Sequence, residues 1–261
     1  MQETQIQEKK KNKLNLFGIF VFIGKILTKI AGLKILWAAA SFLAYSYLFS
    51  WQFALLIIGS VFFHELGHIW AAKRCGMPVK GIYLIPFVGG VALINGEFKS
   101  QKDAMFVSIM GPVWGFALAL AMACLYLIIR QPLIAGAASW IALINLFNLL
   151  PIYPLDGGRI ITSIGFSIHS RLGLVLLGIG TLLCLVLVIL AHIWLFLLLF
   201  AIGLAETINE YKKRQRIPEM SPLQTTISSI SFIALGLTLF FVMIYMGSEP
   251  GAALALKLIQ E

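Results

Sequence analysis

The sequence predicts an all-α polytopic membrane protein of about six to seven transmembrane helices with a short membrane-embedded β-hairpin, and three observations carry that prediction. Of 261 residues, 60% are hydrophobic and 12% charged, with a mean hydropathy of +0.93; soluble domains carry roughly 25% charged residues. Apolar runs long enough to approach or cross a hydrocarbon core of about 30 Å recur along the chain. The lysines and arginines stand at the ends of those runs instead of clustering on one soluble face. Lipid is therefore the expected solvent for most of the molecule.

Residues 1–33 are read as a cytoplasmic basic tail and interfacial segment. The stretch Leu14 to Ile30 is interrupted by Lys25 and Lys29 and is not followed by a cleavage site, which argues against a removed signal peptide. Phe17, Phe20, Ile23 and Leu27 can dip into the membrane while the lysines stay outside. Candidate spans then follow at 34–50, 52–73, 104–129, 132–150, 172–189 and 191–208, making a membrane-embedded bundle over 34–208 with its core motifs in 52–170. A basic loop is expected over 209–223, and a last span, 224–246, within the C-terminal segment 224–261. Between Met77 and Phe98, Pro78, Gly81, Pro86, Gly89 and Gly90 break any helix, while the stretches around Tyr83 and Ala92 have strand-like composition. This predicts a β-hairpin dipping in from the cytoplasmic side, whose exposed strand edge could receive an extended peptide. Because its backbone groups would be unsatisfied in lipid, it must face protein or a wet cavity.

Counting charges with the N-terminus inside, the loops facing the cytoplasm hold seven, five, two and four lysines and arginines, or 18 of the 20, and only Arg130 and Lys257 fall outside. That asymmetry supports the seven-span topology. It also accounts for the net charge of +9 as topology and anionic-lipid contact, with no nucleic-acid partner implied. Cys75, Cys124 and Cys184 form no closely spaced pair, so no disulfide framework is expected. Cys124 and Cys184, inside apolar runs, are read as packing residues. His169 and His192 are read as interface histidines, not ligands.

Chemistry enters with His64-Glu65-Leu66-Gly67-His68 near the end of the second span. Histidines four apart on a helix project from one face a turn apart and can meet one zinc ion, while Glu65 beside them can take a proton from water. Ionisable groups inside a membrane cost about 2.5 to 3.5 kcal/mol each, so a cluster of three needs a polar reason such as a divalent cation. A catalytic zinc wants a third protein ligand and an open position. The acidic residues near a membrane boundary are Glu97, Asp103, Asp156, Glu206 and Glu210. Asp156 stands out, because Pro151 and Pro154 break the helix before it and Gly157 and Gly158 after it admit close backbone approach. Both sites reach cytoplasmic depth, since the spans that precede them run in the same direction.

With Asn148-Leu149-Leu150-Pro151-Ile152-Tyr153-Pro154-Leu155-Asp156-Gly157-Gly158, the HExxH segment resembles the site-2 protease family of intramembrane zinc metalloproteases over residues 52 to 170. The resemblance implies one zinc per chain held by His64, His68 and Asp156, Glu65 as catalytic base, and a membrane protein with a transmembrane helix as substrate. It also implies that Asn148, on which the assignment is placed, helps to position substrate; Asn145, one turn earlier, could do likewise, and interhelical hydrogen bonding is the plainer reading of either. The chain departs from the pattern after Gly111-Pro112, where an asparagine often found in the family is replaced around Trp114. The competing readings are a divalent metal transporter and a non-proteolytic zinc-binding membrane protein. The expected location is a prokaryotic plasma (inner) membrane, with the N-terminus and active site toward the cytoplasm.

Overall fold

The computed structural model describes residues 33–85, 89–94, 97–191, 201, 204 and 217–253. The predicted interfacial segment, nearly all of the span at 191–208 and residues 209–216 of the basic loop lie outside the described residues, as do His192 and the tail beyond 253. The chain divides into Met1–Leu36, of which the first turn of one helix is described, and Trp37–Glu261, which holds the rest of the described residues.

Helix α1 covers Leu33–Leu48 and α2 covers Trp51–Arg74. Ser50 caps α2 by accepting from the Phe53 N–H at 3.2 Å. Its far end closes in a Schellman turn: the Met77 N–H reaches the Ala72 carbonyl, the Gly76 N–H reaches that of Lys73, and Gly76 supplies the left-handed φ of 70°. Lys73 and Arg74 in the last turn complement the helix dipole. Strands β1, Val79–Ile85, and β2, Gly89–Ile94, then form the predicted hairpin, antiparallel with Ile82 opposite Ala92 and Leu84 opposite Gly90. A register shift between Val79 and Gly81 twists its base.

Helix α3 runs over Gln101–Ile129, capped by Ser100 on the Asp103 N–H, and α4 over Pro132–Asn148, with its proline in the first turn where no N–H is needed. Helix α5, Asp156–Ile168, follows the broken segment, then α6, Ser170–Ala191, and α7, Pro222–Gly247, opened by a capping box between Ser221 and Gln224. Sequence reading gave no helix at 156–168, because Arg159, Thr162, Ser163 and Ser167 interrupt its apolar run and three glycines weaken its propensity.

Helix α3 is the centrepiece, packed against α2, α4, α5 and α7, while the hairpin lies on α2. Interfaces are lined by small side chains, among them Ala119, Ala135, Ala138 and Ala142, which let backbones approach closely without a hydrophobic driving force. Around them sits a cluster that includes Met105, Ile109, Ile141, Ile160 and Leu239. The outer faces are apolar: Ile128 on α3 is 81% exposed and Leu237 on α7 is 64% exposed, while His64, Glu65 and Asn145 are buried. An apolar exterior around a polar interior is the arrangement expected of a protein whose solvent is lipid. Among the described residues, α2, α3 and α7 are long and apolar enough to cross a membrane; α4 is shorter than the predicted 132–150 span. The chain is thus a mostly helical integral membrane protein with a two-stranded antiparallel sheet. Cys124 lies exposed on α3 and is not the packing residue that its apolar run suggested.

Candidate metal centre

The α2 helix places His64 and His68 one turn apart with their ring centroids 4.8 Å from each other. Their Nε2 atoms are 3.0 Å apart, and Asp156 Oδ2 lies 3.0 Å from the first and 3.2 Å from the second. A tetrahedral ion with bonds of about 2.0 to 2.1 Å separates its ligand atoms by about 3.3 Å. Two imidazoles and one carboxylate at this spacing fit zinc, and they leave one position open for water or substrate.

The opposite ring nitrogens support that fit. His68 Nδ1 donates to the Val107 carbonyl at 2.8 Å, and His64 Nδ1 lies 2.8 Å from Asn145 Oδ1. With protons committed at Nδ1, both Nε2 lone pairs face the shared point. Helix α3 can approach because residue 111 is glycine: a Cβ there would press into the His68 ring and stand 2.7 Å from His64 Nε2. Pro112 in the same turn has no N–H for the Ser108 carbonyl, and Ser108 lines the cavity next to the centre.

Asp156 is the first residue of α5, with Leu155 as N-cap. The turn that delivers it depends on its glycines, since a Cβ at Gly157 would collide with the Leu149 carbonyl. Thr162 donates to the Gly158 carbonyl at 2.8 Å, which leaves its oxygen to accept from the Tyr153 hydroxyl at 2.9 Å. The broken segment is thereby tied back onto the helix it precedes.

Glu65 is buried at 6% exposure and its Oε2 accepts from the Ala92 N–H of β2 at 2.8 Å. Gly90 lies against the same carboxylate, where a Cβ would stand 2.8 Å from Oε1. Because Ala92 donates away from β1, the outer edge of β2 faces the centre. The outer edge of β1 is engaged elsewhere, as Ser41 on α1 donates to the Leu84 carbonyl at 3.1 Å. A cavity of about 300 Å³ lies between β2 and the metal donors, with Asn148 and Arg159 also in its wall.

His64, Glu65, His68 and Asp156 therefore meet at one cavity, and Asn148 borders it with its Nδ2 donated to the Ile144 carbonyl at 3.1 Å. Asn145, named beside Asn148 as a second candidate for placing substrate, contacts His64 instead. The Val107 carbonyl and the Ala92 N–H left no trace in the sequence, because any residue can supply them. Of the other acidic candidates, Asp103 belongs to the first turn of α3, Glu97 is exposed, and Glu206 and Glu210 lie outside the described residues. Burial, followed by the Asp103 carboxylate, pushes the Cys75 thiol up. His169 caps α5 and accepts from the Arg171 N–H.

Peptidase family M50 matches residues 52–139, which take in the two histidines and Glu65 but not Asp156. A Mycobacterium tuberculosis protein named Rip3 is 35% identical over 125 residues, 45% of this chain and 32% of its own length. Zinc metalloprotease MJ0392 of Methanocaldococcus jannaschii is 30% identical over 165 residues, 54% of this chain and 46% of its own. Stage IV sporulation protein FB of Bacillus subtilis is 31% identical over 171 residues, 60% of this chain and 58% of its own. The chain thus spans less than two thirds of the length of each of these relatives. The solved Site-2 Protease from Methanocaldococcus jannaschii aligns with 72% of this chain and 91% of its own at 23% identity, with a TM-score of 0.46, too low to bear on the fold. Residues 52–139 thus match peptidase family M50, and the chain is similar over about half its length to proteins named as zinc metalloproteases.

Proposed function

We propose that this chain is an intramembrane zinc metalloprotease that hydrolyses peptide bonds within or near transmembrane segments of membrane proteins. The observation that carries the reading is the convergence of His64 Nε2, His68 Nε2 and Asp156 Oδ2 beside a buried glutamate at one cavity. In it His64, His68 and Asp156 hold the metal and Glu65 is the catalytic base. Zinc, when bound, supplies the Lewis acidity that lowers the pKa of water toward about 7 and polarises the scissile carbonyl. Glu65 takes the proton from the attacking water and returns it to the leaving amine.

A helical amide is covered by its own hydrogen bonds, so the substrate must be unwound before attack. The outer edge of β2 offers the backbone groups of Gly90 and Ala92 to an extended peptide, and Asn148 is the side chain we assign to holding it. Lys73 and Arg74, just beyond the metal-binding turns of α2, favour a site that opens toward the cytoplasm of a prokaryotic plasma membrane. Glu65→Gln is the test: purified in detergent and offered a membrane-spanning substrate, it keeps zinc and loses cleavage. A Glu65→Gln variant with full proteolysis would overturn the assignment.

A further inference from the structure

One buried polar group has no part in the hydrolytic steps above. Asn145 is wholly buried in α4, and its carboxamide has both ends engaged. Nδ2 donates to the Ile141 carbonyl at 2.7 Å. A carbonyl can only accept, so the amide is oriented and Oδ1 is the atom left 2.8 Å from His64 Nδ1. An oxygen there can only accept, so His64 carries its proton at Nδ1 and keeps the Nε2 lone pair for metal.

The room for this carboxamide comes from α3. Gly115 lies one turn beyond Gly111, and a Cβ at 115 would fall within the space now filled by the Asn145 side chain. A side chain absent from α3 and a side chain arriving from α4 thus share one volume beside His64.

We propose that Asn145 is a positioning residue for the metal centre: from α4 it supplies the carboxamide that fixes His64 in its metal-binding tautomer, in the space that Gly115 leaves on α3. The plainer role, interhelical hydrogen bonding, does not account for the match between the Gly115 void and the Asn145 amide, nor for the imidazole at its end. The proposal rests on the zinc reading, and zinc affinity separates the two because wild type tests the centre and the variants test Asn145.

The experiment titrates zinc into the full chain, purified metal-free in detergent, against a chelating dye, with circular dichroism reporting the fold of each variant. Wild type binds one zinc. Asn145→Ala binds it about 10- to 100-fold more weakly, the range for loss of a partner behind a metal-bound histidine. Asn145→Asp, which keeps an acceptor in the same place, binds at least as tightly as wild type. Gly115→Asn alone crowds Asn145 and weakens binding, and combining it with Asn145→Ala recovers most of the loss. If Asn145→Ala does not fold, Gly115→Ala, which leaves Asn145 in the chain and displaces it, carries the same expectation of weakened binding. Unchanged affinity in Asn145→Ala, Asn145→Asp no better than Asn145→Ala, or no recovery in the double variant would overturn the proposal. A folded wild type that binds no zinc would overturn the metal centre itself and the proposal with it.

Discussion

Replacing Gly111 with alanine tests how closely α3 must approach the metal donors. The added Cβ would stand 2.7 Å from His64 Nε2, and closer still to His68 Nε2, where ordinary contact is 3.4 to 4 Å. Relief needs a shift of at least about 0.7 Å, by the rings or by the α3 backbone, whereas metal–ligand distances tolerate about 0.2 Å. Rings fixed at Nδ1 by Asn145 and Val107 cannot retreat without breaking those bonds. Displacing a ligand should cost at least what losing its supporting partner does, so zinc affinity should fall by about 100-fold or more, which is about 2.7 kcal/mol. Overpacking would add about 1 to 3 kcal/mol of destabilisation. Equilibrium competition with a chelator, with cleavage measured at saturating zinc, reads the first effect, and thermal unfolding reads the second. A Gly111→Ala protein with wild-type zinc affinity and wild-type cleavage would refute the close approach.

Three further outcomes follow from other parts of the molecule. Ala92→Pro removes the N–H that holds Glu65 but no ladder bond, because that N–H points away from β1; cleavage should fall roughly 10- to 100-fold, matching a charged hydrogen bond of about 1.5 to 3 kcal/mol, with zinc content unchanged. Leu237→Lys, on the exposed face of α7, should impair membrane insertion by about 2.5 to 3.5 kcal/mol in a glycosylation-based insertion assay, whereas a water-facing position would accept lysine freely. Zinc at 100 times its dissociation constant should stabilise the metal-free protein by about 2.7 kcal/mol in thermal unfolding, and Asp156→Ala should lose most of that shift.

Much of this centre was legible in the sequence because its chemistry is carried by side chains with fixed spacing. Two histidines four apart must share a helical face, and the prolines and glycines around Asp156 mark a backbone that can bring a carboxylate to them. The hairpin was legible from Pro86 and the glycine pair at 89 and 90 between apolar stretches. What remained hidden was relational. Asn145 and Asn148 lie three apart on one helix, and the choice between them depends on how α4 is rotated against α2 and α3. The Val107 carbonyl and the Ala92 N–H are backbone groups without a residue signature. Helix α5 was concealed because its polar positions break an apolar run, although Thr162 and Tyr153 stabilise its start through contacts that composition cannot reveal. The exposure of Cys124 likewise depends on which side of α3 meets lipid.

The measurement closest to the central claim is the zinc content of the purified, folded chain, compared between wild type and Asp156→Ala. One zinc per wild-type chain, with a clear loss in Asp156→Ala at equal helical content, is the predicted result. A well-folded wild type without stoichiometric metal after growth in zinc, or an Asp156→Ala variant that holds zinc as firmly as wild type, would contradict the account.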